Sequence, residues 1–213
     1  MPRFATALAA FGLVVTFGAT AFAQAPPSPA AAPTTRIRGT ITSFTGGVLT
    51  VAGAAQTYKV TIPDNARVQW LQKATLANIT PNTYVGTVAV PQPDGSLRAI
   101  EVQIFQEAQR GTGEGARPWD TVPNSSMTNA TVTTIAPETV DKVQGQTLML
   151  KYKDTEKKVF VPANAPIVAA VPADKSALTP GAHVIILSAT AAPDGTFTTA
   201  SISVGKDGLV PPM

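Results

Sequence analysis

The sequence predicts an all-β protein: two tandem small antiparallel barrels of the oligonucleotide/oligosaccharide-binding (OB-like) Greek-key type, behind a signal peptide and a Pro/Ala-rich linker. Three observations carry this. First, apolar residues alternate with polar ones. Tyr58, Val60 and Ile62 flank Lys59 and Thr61, and Ile100, Val102 and Ile104 flank Glu101 and Gln103. Period 2 is expected when one sheet face is buried and the other wet. Second, Asp94-Gly95 and Asp194-Gly195 sit between such runs as hairpin turns, with Gly46-Gly47 as another. Third, residues 59–81 (KVTIPDNARVQWLQKATLANITP) match residues 158–180 (KVFVPANAPIVAAVPADKSALTP) at a constant offset of 99.

The internal match extends in both directions. Downstream, after one inserted residue, Pro93-Asp94-Gly95 meets Pro193-Asp194-Gly195. Upstream, Leu49 and Val51 meet Leu148 and Leu150. Thr40-Ile41-Thr42 meets Thr131-Val132-Thr133 at an offset of 91, so the second copy carries eight extra residues near its first turn. Two copies imply tandem domains, since solenoids need three or more repeats.

The elements follow in chain order. Met1-Pro2-Arg3 is short and basic, residues 4–20 carry no charge, and Ala21-Phe22-Ala23 has the small-x-small form read by signal peptidase. Cleavage after Ala23 leaves 190 of the 213 residues, and removal of Arg3 lowers the net charge from +3 to +2. Residues 24–35 hold four prolines and form an extended linker. The first barrel spans 36–105, a Gly-rich connector 106–126, the second barrel 127–205 and a tail 206–213. Within each barrel the expected order is three strands, a short helical crossing, then a hairpin. The crossing covers residues 71–79, matched by 172–178, and ends at Thr80-Pro81 and Thr179-Pro180.

Composition limits the chemistry. The absence of cysteine removes disulfide scaffolds, thiol nucleophiles and Cys-ligated metals. A single histidine removes two-His metal motifs. A net charge of +3 and 6% aromatics give no footprint for nucleic acid. No segment after residue 23 is long and apolar enough to span a bilayer. Export without disulfides points to a bacterial periplasm.

Motifs add little catalytic signal. Residues 111–116 (GTGEGA) fit the letter of the dinucleotide fingerprint, but Arg117-Pro118 follows where a helix must open. His183 lies in an apolar run with no nucleophile elbow, and its counterpart in the first copy is Tyr84. No catalytic residue, metal ligand or cofactor is assigned. The connector is the exception to this plainness. Arg110, Glu114, Arg117, Trp119 and Asp120 form a candidate binding patch, because Arg and Trp dominate interface hot spots. The competing account packs Trp119 into the groove between barrels, where a buried aromatic fixes the interdomain angle.

Gly39-Thr40-Ile41, then residues 48–51 (VLTV), then the Pro93-Asp94-Gly95 hairpin resemble exported bacterial proteins with tandem small β-barrel domains. The connector run 110–120 (RGTGEGARPWD) and Met127-Thr128-Asn129-Ala130 are similar to a segment shared by that group. The resemblance covers residues 36–205. It implies the barrel fold but no activity, cofactor or catalytic set, since none is established for the group. The functional reading is an exported, non-enzymatic binding or scaffold protein, with a protein or envelope ligand as partner. The alternatives are a carboxylate-dependent hydrolase, with Glu107, Glu114 and Asp120 converging on His183, and a periplasmic metal-handling accessory protein.

Overall fold

A computed structural model describes residues 33–213. The expected signal peptide and most of the expected linker lie outside these residues. Fourteen strands dominate: β1 (Thr34–Thr45), β2 (Val48–Gly53), β3 (Thr57–Thr61), β4 (Arg67–Ala74), β5 (Tyr84–Pro91), β6 (Leu97–Ile104), β7 (Gly115–Pro118), β8 (Ser126–Val140), β9 (Val143–Tyr152), β10 (Thr155–Pro162), β11 (Ile167–Ala173), β12 (His183–Ala191), β13 (Phe197–Thr198) and β14 (Ser201–Gly205). The helical content of the described residues is four single 3-10 turns.

Turn chemistry matches the sequence. Gly95 and Gly195 both take φ +80°. In each turn the Asp carboxylate accepts from the residue two on: Asp94 from Ser96 N–H at 3.0 Å, Asp194 from Thr196 N–H at 3.0 Å. Such Asx bonds are why Asp-Gly turns tightly. The extra residues of the second copy enter as strand and leave the turn short. β8 and β9 run 15 and 10 residues against 12 and 6 in β1 and β2. Both hairpins still close through two residues of positive φ, Gly46-Gly47 in one and Asp141-Lys142 in the other.

The crossing differs from expectation. Residues 71–74 are strand, and the helical piece shrinks to the 3-10 turn Leu76–Asn78, with Lys175–Ala177 as its counterpart. The reason is pairing: β4 lies antiparallel to β11 and parallel to β14, so its backbone groups are taken by strands. The tail also differs. Met213 is buried, packed with Leu71, Val88 and Ile185.

Strand pairing closes twice. β1, β2 and β3 pair in sequence, β3 meets β13, β13 meets β12, and β12 returns to β1. Likewise β8, β9 and β10 pair in sequence, β10 meets β6, β6 meets β5, and β5 returns to β8. The expected arrangement was one barrel per copy. Instead, each closed circuit takes three strands from one half of the chain and its closing hairpin from the other. Residues 33–213 accordingly belong to one compact unit.

The cores follow the same exchange. One gathers Ile37, Leu49, Val51 and Val60 with Val184, Ile186 and Ile202. The other gathers Leu148, Leu150 and Val159 with Val85, Ala99 and Val102. Between them β4 and β11 cross, with Leu71 opposite Ala170. That pair is 99 residues apart, so each residue faces its own match in the repeat. A third core surrounds it: Leu71, Val88, Trp119, Met127, Val168, Ala170, Ile185 and Met213.

Leu71 is fully buried at the crossing. Leu71→Ala is expected to destabilise the chain by about 2–5 kcal/mol, the range for Leu truncation in a packed core. Urea denaturation reads it as a lowered midpoint; a loss under about 1 kcal/mol would show the crossing to be dispensable.

Candidate functional site

The joint between the halves is built around Trp119. The indole is 8% exposed and belongs to the third core. β7 brings it there by pairing with β8 from Gly115–Asn129 to Pro118–Ser126. The loop behind it is tight: Trp119 N–H donates to Ser125 O at 2.9 Å, and the Ser125 hydroxyl donates to Val122 O at 2.7 Å.

Two guanidiniums lie over the indole. Arg36 stands 3.9 Å from the ring centroid and Arg117 5.7 Å. Both lie within range of the ring quadrupole, which favours a cation over the face. Arg117 is also held by Gly113 O at 2.7 Å. Burial, with the Arg36 charge added, pulls the Arg117 guanidinium below its ordinary value.

Asp120 ties this layer to β1. Arg38 grips it with two donors at 2.9 and 3.2 Å, and Arg36 approaches it at 3.3 Å. The hydrogen bonds from Arg38 hold the Asp120 carboxyl below the usual carboxylate range. A third Arg38 donor reaches Met213 O at 2.8 Å. Arg38 therefore links β1, the connector and the final residues. An open cleft of about 460 Å³ is lined by Arg36, Glu114, Arg117, Trp119, Leu187 and Ser188 among others.

Of the five residues picked from the sequence, Arg117, Trp119 and Asp120 cluster around Arg36, and Glu114 joins them at the cleft. Arg110 goes elsewhere. It forms a two-pronged pair with Glu107 at 2.6 and 2.7 Å, donates to Asn82 O and to the Thr131 hydroxyl, and lies over Tyr84 at 5.8 Å. Its role is to fasten the connector to β8 and the segment before β5.

The carboxylates named for hydrolysis have separate partners. Glu107 pairs with Arg110, Asp120 with Arg36 and Arg38, and Glu114 accepts from Lys153 N–H at 3.3 Å. His183 Nδ1 faces the Thr40 hydroxyl at 3.1 Å, on the seam between β1 and β12. Among the described residues, no three His, Asp or Glu side chains group as a metal would require. The chain matches no protein-family model, no curated protein and no solved structure.

Sequence reasoning missed Arg36, Arg38 and Glu101. The two arginines flank Ile37 at spacing 2, so they share the strand face opposite a buried residue; that alternation was available to find them. Glu101 was read as part of a wet face. It is 3% exposed, and its Oε1 has no hydrogen-bond partner. Burial pushes its carboxyl up to about 7; the nearby Asp120 adds to the rise and Arg38 opposes it. Gln103, Gln69 and Gln109 are buried too, and the Gln109 amide donates to Gln69, which donates to Ser203, both at 2.8 Å.

The sign of the Glu101 effect follows from its two values. The unfolded carboxyl titrates near 4.5 and the folded one near 7. Between these the folded state keeps a proton that the unfolded state releases, so this group's contribution falls as pH rises through the window. Glu101→Gln removes the loss. At pH 8 the variant is expected to be more stable than the parent by about 2 kcal/mol: the separation between 4.5 and about 7 is worth ~3.5 kcal/mol at ~1.4 kcal/mol per pH unit, and solvent screening of the partly wet site reduces it. At pH 4 the advantage should vanish. Urea midpoints at both pH values check this; an equal difference at the two would refute it.

Proposed function

We propose that this chain is an exported, non-enzymatic binding or scaffold protein made of two duplicated OB-like barrels with exchanged closing hairpins. In each circuit the third strand pairs parallel to the closing strand, β3 with β13 and β10 with β6, while the flanking pairs run antiparallel. Closure removes exposed strand edges, which suits a small unit without disulfides. Export rests on the leader sequence.

The observation that carries the binding role is the Arg36–Trp119–Arg117 layer beside the open cleft. Arg36, Arg38 and Arg117 outnumber Asp120 and Glu114 there, and the raised value of Glu101, about 7, reduces its negative charge near neutrality. A protein or envelope ligand that presents an anionic group to two partly buried guanidiniums fits this surface. The aromatic beneath them is shared between recognition and packing.

Site-specific photocrosslinking in the expressing cell tests the reading. A photoreactive residue at the exposed Glu114 position should capture a discrete partner, and one at the exposed Lys59 position should not. Arg36→Ala should reduce the Glu114 adduct about tenfold, as for a hot-spot arginine. No adduct, the same adduct from both positions, or an adduct indifferent to Arg36 would sink the assignment.

A further inference from the structure

Strand β1 has two edges, and one is open over part of its length. Ile41 N–H donates to Ala182 O, on the β12 side. Backbone groups alternate along a strand, so Thr34, Arg36 and Arg38 point away from β12. β2 takes that side only from the Gly39–Gly53 pair onward. There Gly53 N–H donates to Gln56 O and the chain turns away. Among the described residues, no backbone group bonds Arg36 on this side.

The other circuit shows the same place filled. At the offset of 91, Arg36 and Arg38 match Met127 and Asn129 of β8. The closing strands hold the two edges in one register, Arg38 against Ile185 and Asn129 against Gly86. β9 covers β8 only from the Thr131–Lys151 pair onward, much as β2 covers β1. β7 then takes the vacated edge, pairing Arg117 with Met127 and Gly115 with Asn129. β7 comes from the connector that joins the halves, and the described residues hold no counterpart beside β1. One edge of a matched pair therefore carries an added antiparallel strand of four residues, and the other does not.

The neighbourhood says what fits. An unpaired edge takes an extended chain through main-chain hydrogen bonds, and side chains set the choice. Residues 24–33, which lead into β1, hold four prolines, and proline has no N–H to give. A strand that donates on alternate residues is better supplied by another protein. Residues directly opposite one another share a sheet face, where opposite charges attract. The residue opposite Arg36 thus stands beside its guanidinium, on the face that carries Trp119 and the open cleft. Arg38 is committed to Asp120 by two hydrogen bonds, whereas Arg36 approaches it with one nitrogen at 3.3 Å. Arg36 is the cation with capacity left for a second carboxylate.

We propose that the open edge of β1 takes an extended acidic segment of a partner protein as an added antiparallel strand, with a carboxylate side chain opposite Arg36. The inference rests on the binding role of the Arg36–Trp119 layer and names its partner. The peptide acetyl-Thr-Val-Glu-Val-Thr-amide, titrated into the isotope-labelled exported chain and followed by amide hydrogen exchange, tests it. Saturable binding should slow exchange at the Arg36 amide and leave the Met127 amide, already paired with β7, as it was. An N-methyl on the central Glu removes the donor to Arg36 O and should weaken binding about tenfold. An N-methyl on either Val points outward and should be tolerated. Lys in place of that Glu should also weaken binding about tenfold. Binding that leaves Arg36 exchange unchanged, or that ignores the position of the N-methyl, would show an anion site without strand pairing and overturn the proposal. Equal binding of the Lys peptide would overturn the acidic class. Absence of binding at millimolar concentration would also defeat it, as would an Arg36 amide protected in the free chain and released by deletion of residues 24–33. The Glu114 crosslink stands or falls separately, so failure of the strand and failure of the binding role are distinguishable.

Discussion

Strands β4 and β11 pair antiparallel about Leu71 and Ala170, and the rest of the described fold depends on that crossing. Each strand leaves the circuit its own half began and leads the chain into the other. The hairpin β5–β6 therefore closes around β8–β10, and β12–β13 closes around β1–β3. Hairpin exchange between identical units is a low-cost way to build a dimer, because every contact reuses one already present in the unit. Here both units are in one chain, so the exchange is intramolecular and needs no second molecule. The apolar cores record the same fact, since each draws its residues from both halves of the described sequence.

The crossing also explains where the unusual side chains sit. A strand face that would be wet in an isolated barrel is covered by the other half. Glu101, Gln103 and Gln69 are buried for that reason. Gln69 accepts from the Gln109 amide and donates to the Ser203 hydroxyl, so it satisfies the rule that buried polar groups are paired. Glu101 lacks a partner at Oε1, and desolvation raises its carboxyl to about 7, so it titrates near neutral pH. The connector has to span between the halves, and Trp119 fills the space it leaves. Three arginines then meet one buried indole and one aspartate, an arrangement that joins β1, the connector and Met213 through Arg38.

Much of this was legible in the residues. Alternation and Asp-Gly turns specify strands and hairpins through local chemistry, and the offset of 99 identifies equivalent positions. Arg117, Trp119 and Asp120 stood out because their types are costly to place without a partner. The exchange was not legible. Nothing local distinguishes a hairpin that closes on its own half from one that closes on the other, since both bury the same faces with the same register. Residues 71–74 looked helical for a related reason: their strand character comes from a partner 99 residues away, and their own spacing does not announce it. Arg110 illustrates the limit in the other direction. Its neighbours in sequence placed it with Trp119, while the 3-10 turn Glu107–Gln109 directs it to Glu107 and Asn82.

Mutual closure makes a thermodynamic demand: neither circuit can unfold and leave the other intact, because each would lose its closing hairpin. Differential scanning calorimetry of the chain tests this most directly. The account predicts one transition whose calorimetric and van't Hoff enthalpies agree, as for a single cooperative unit. Two separable transitions, or a calorimetric enthalpy near twice the van't Hoff value, would mean that the halves fold independently and would contradict the exchanged architecture.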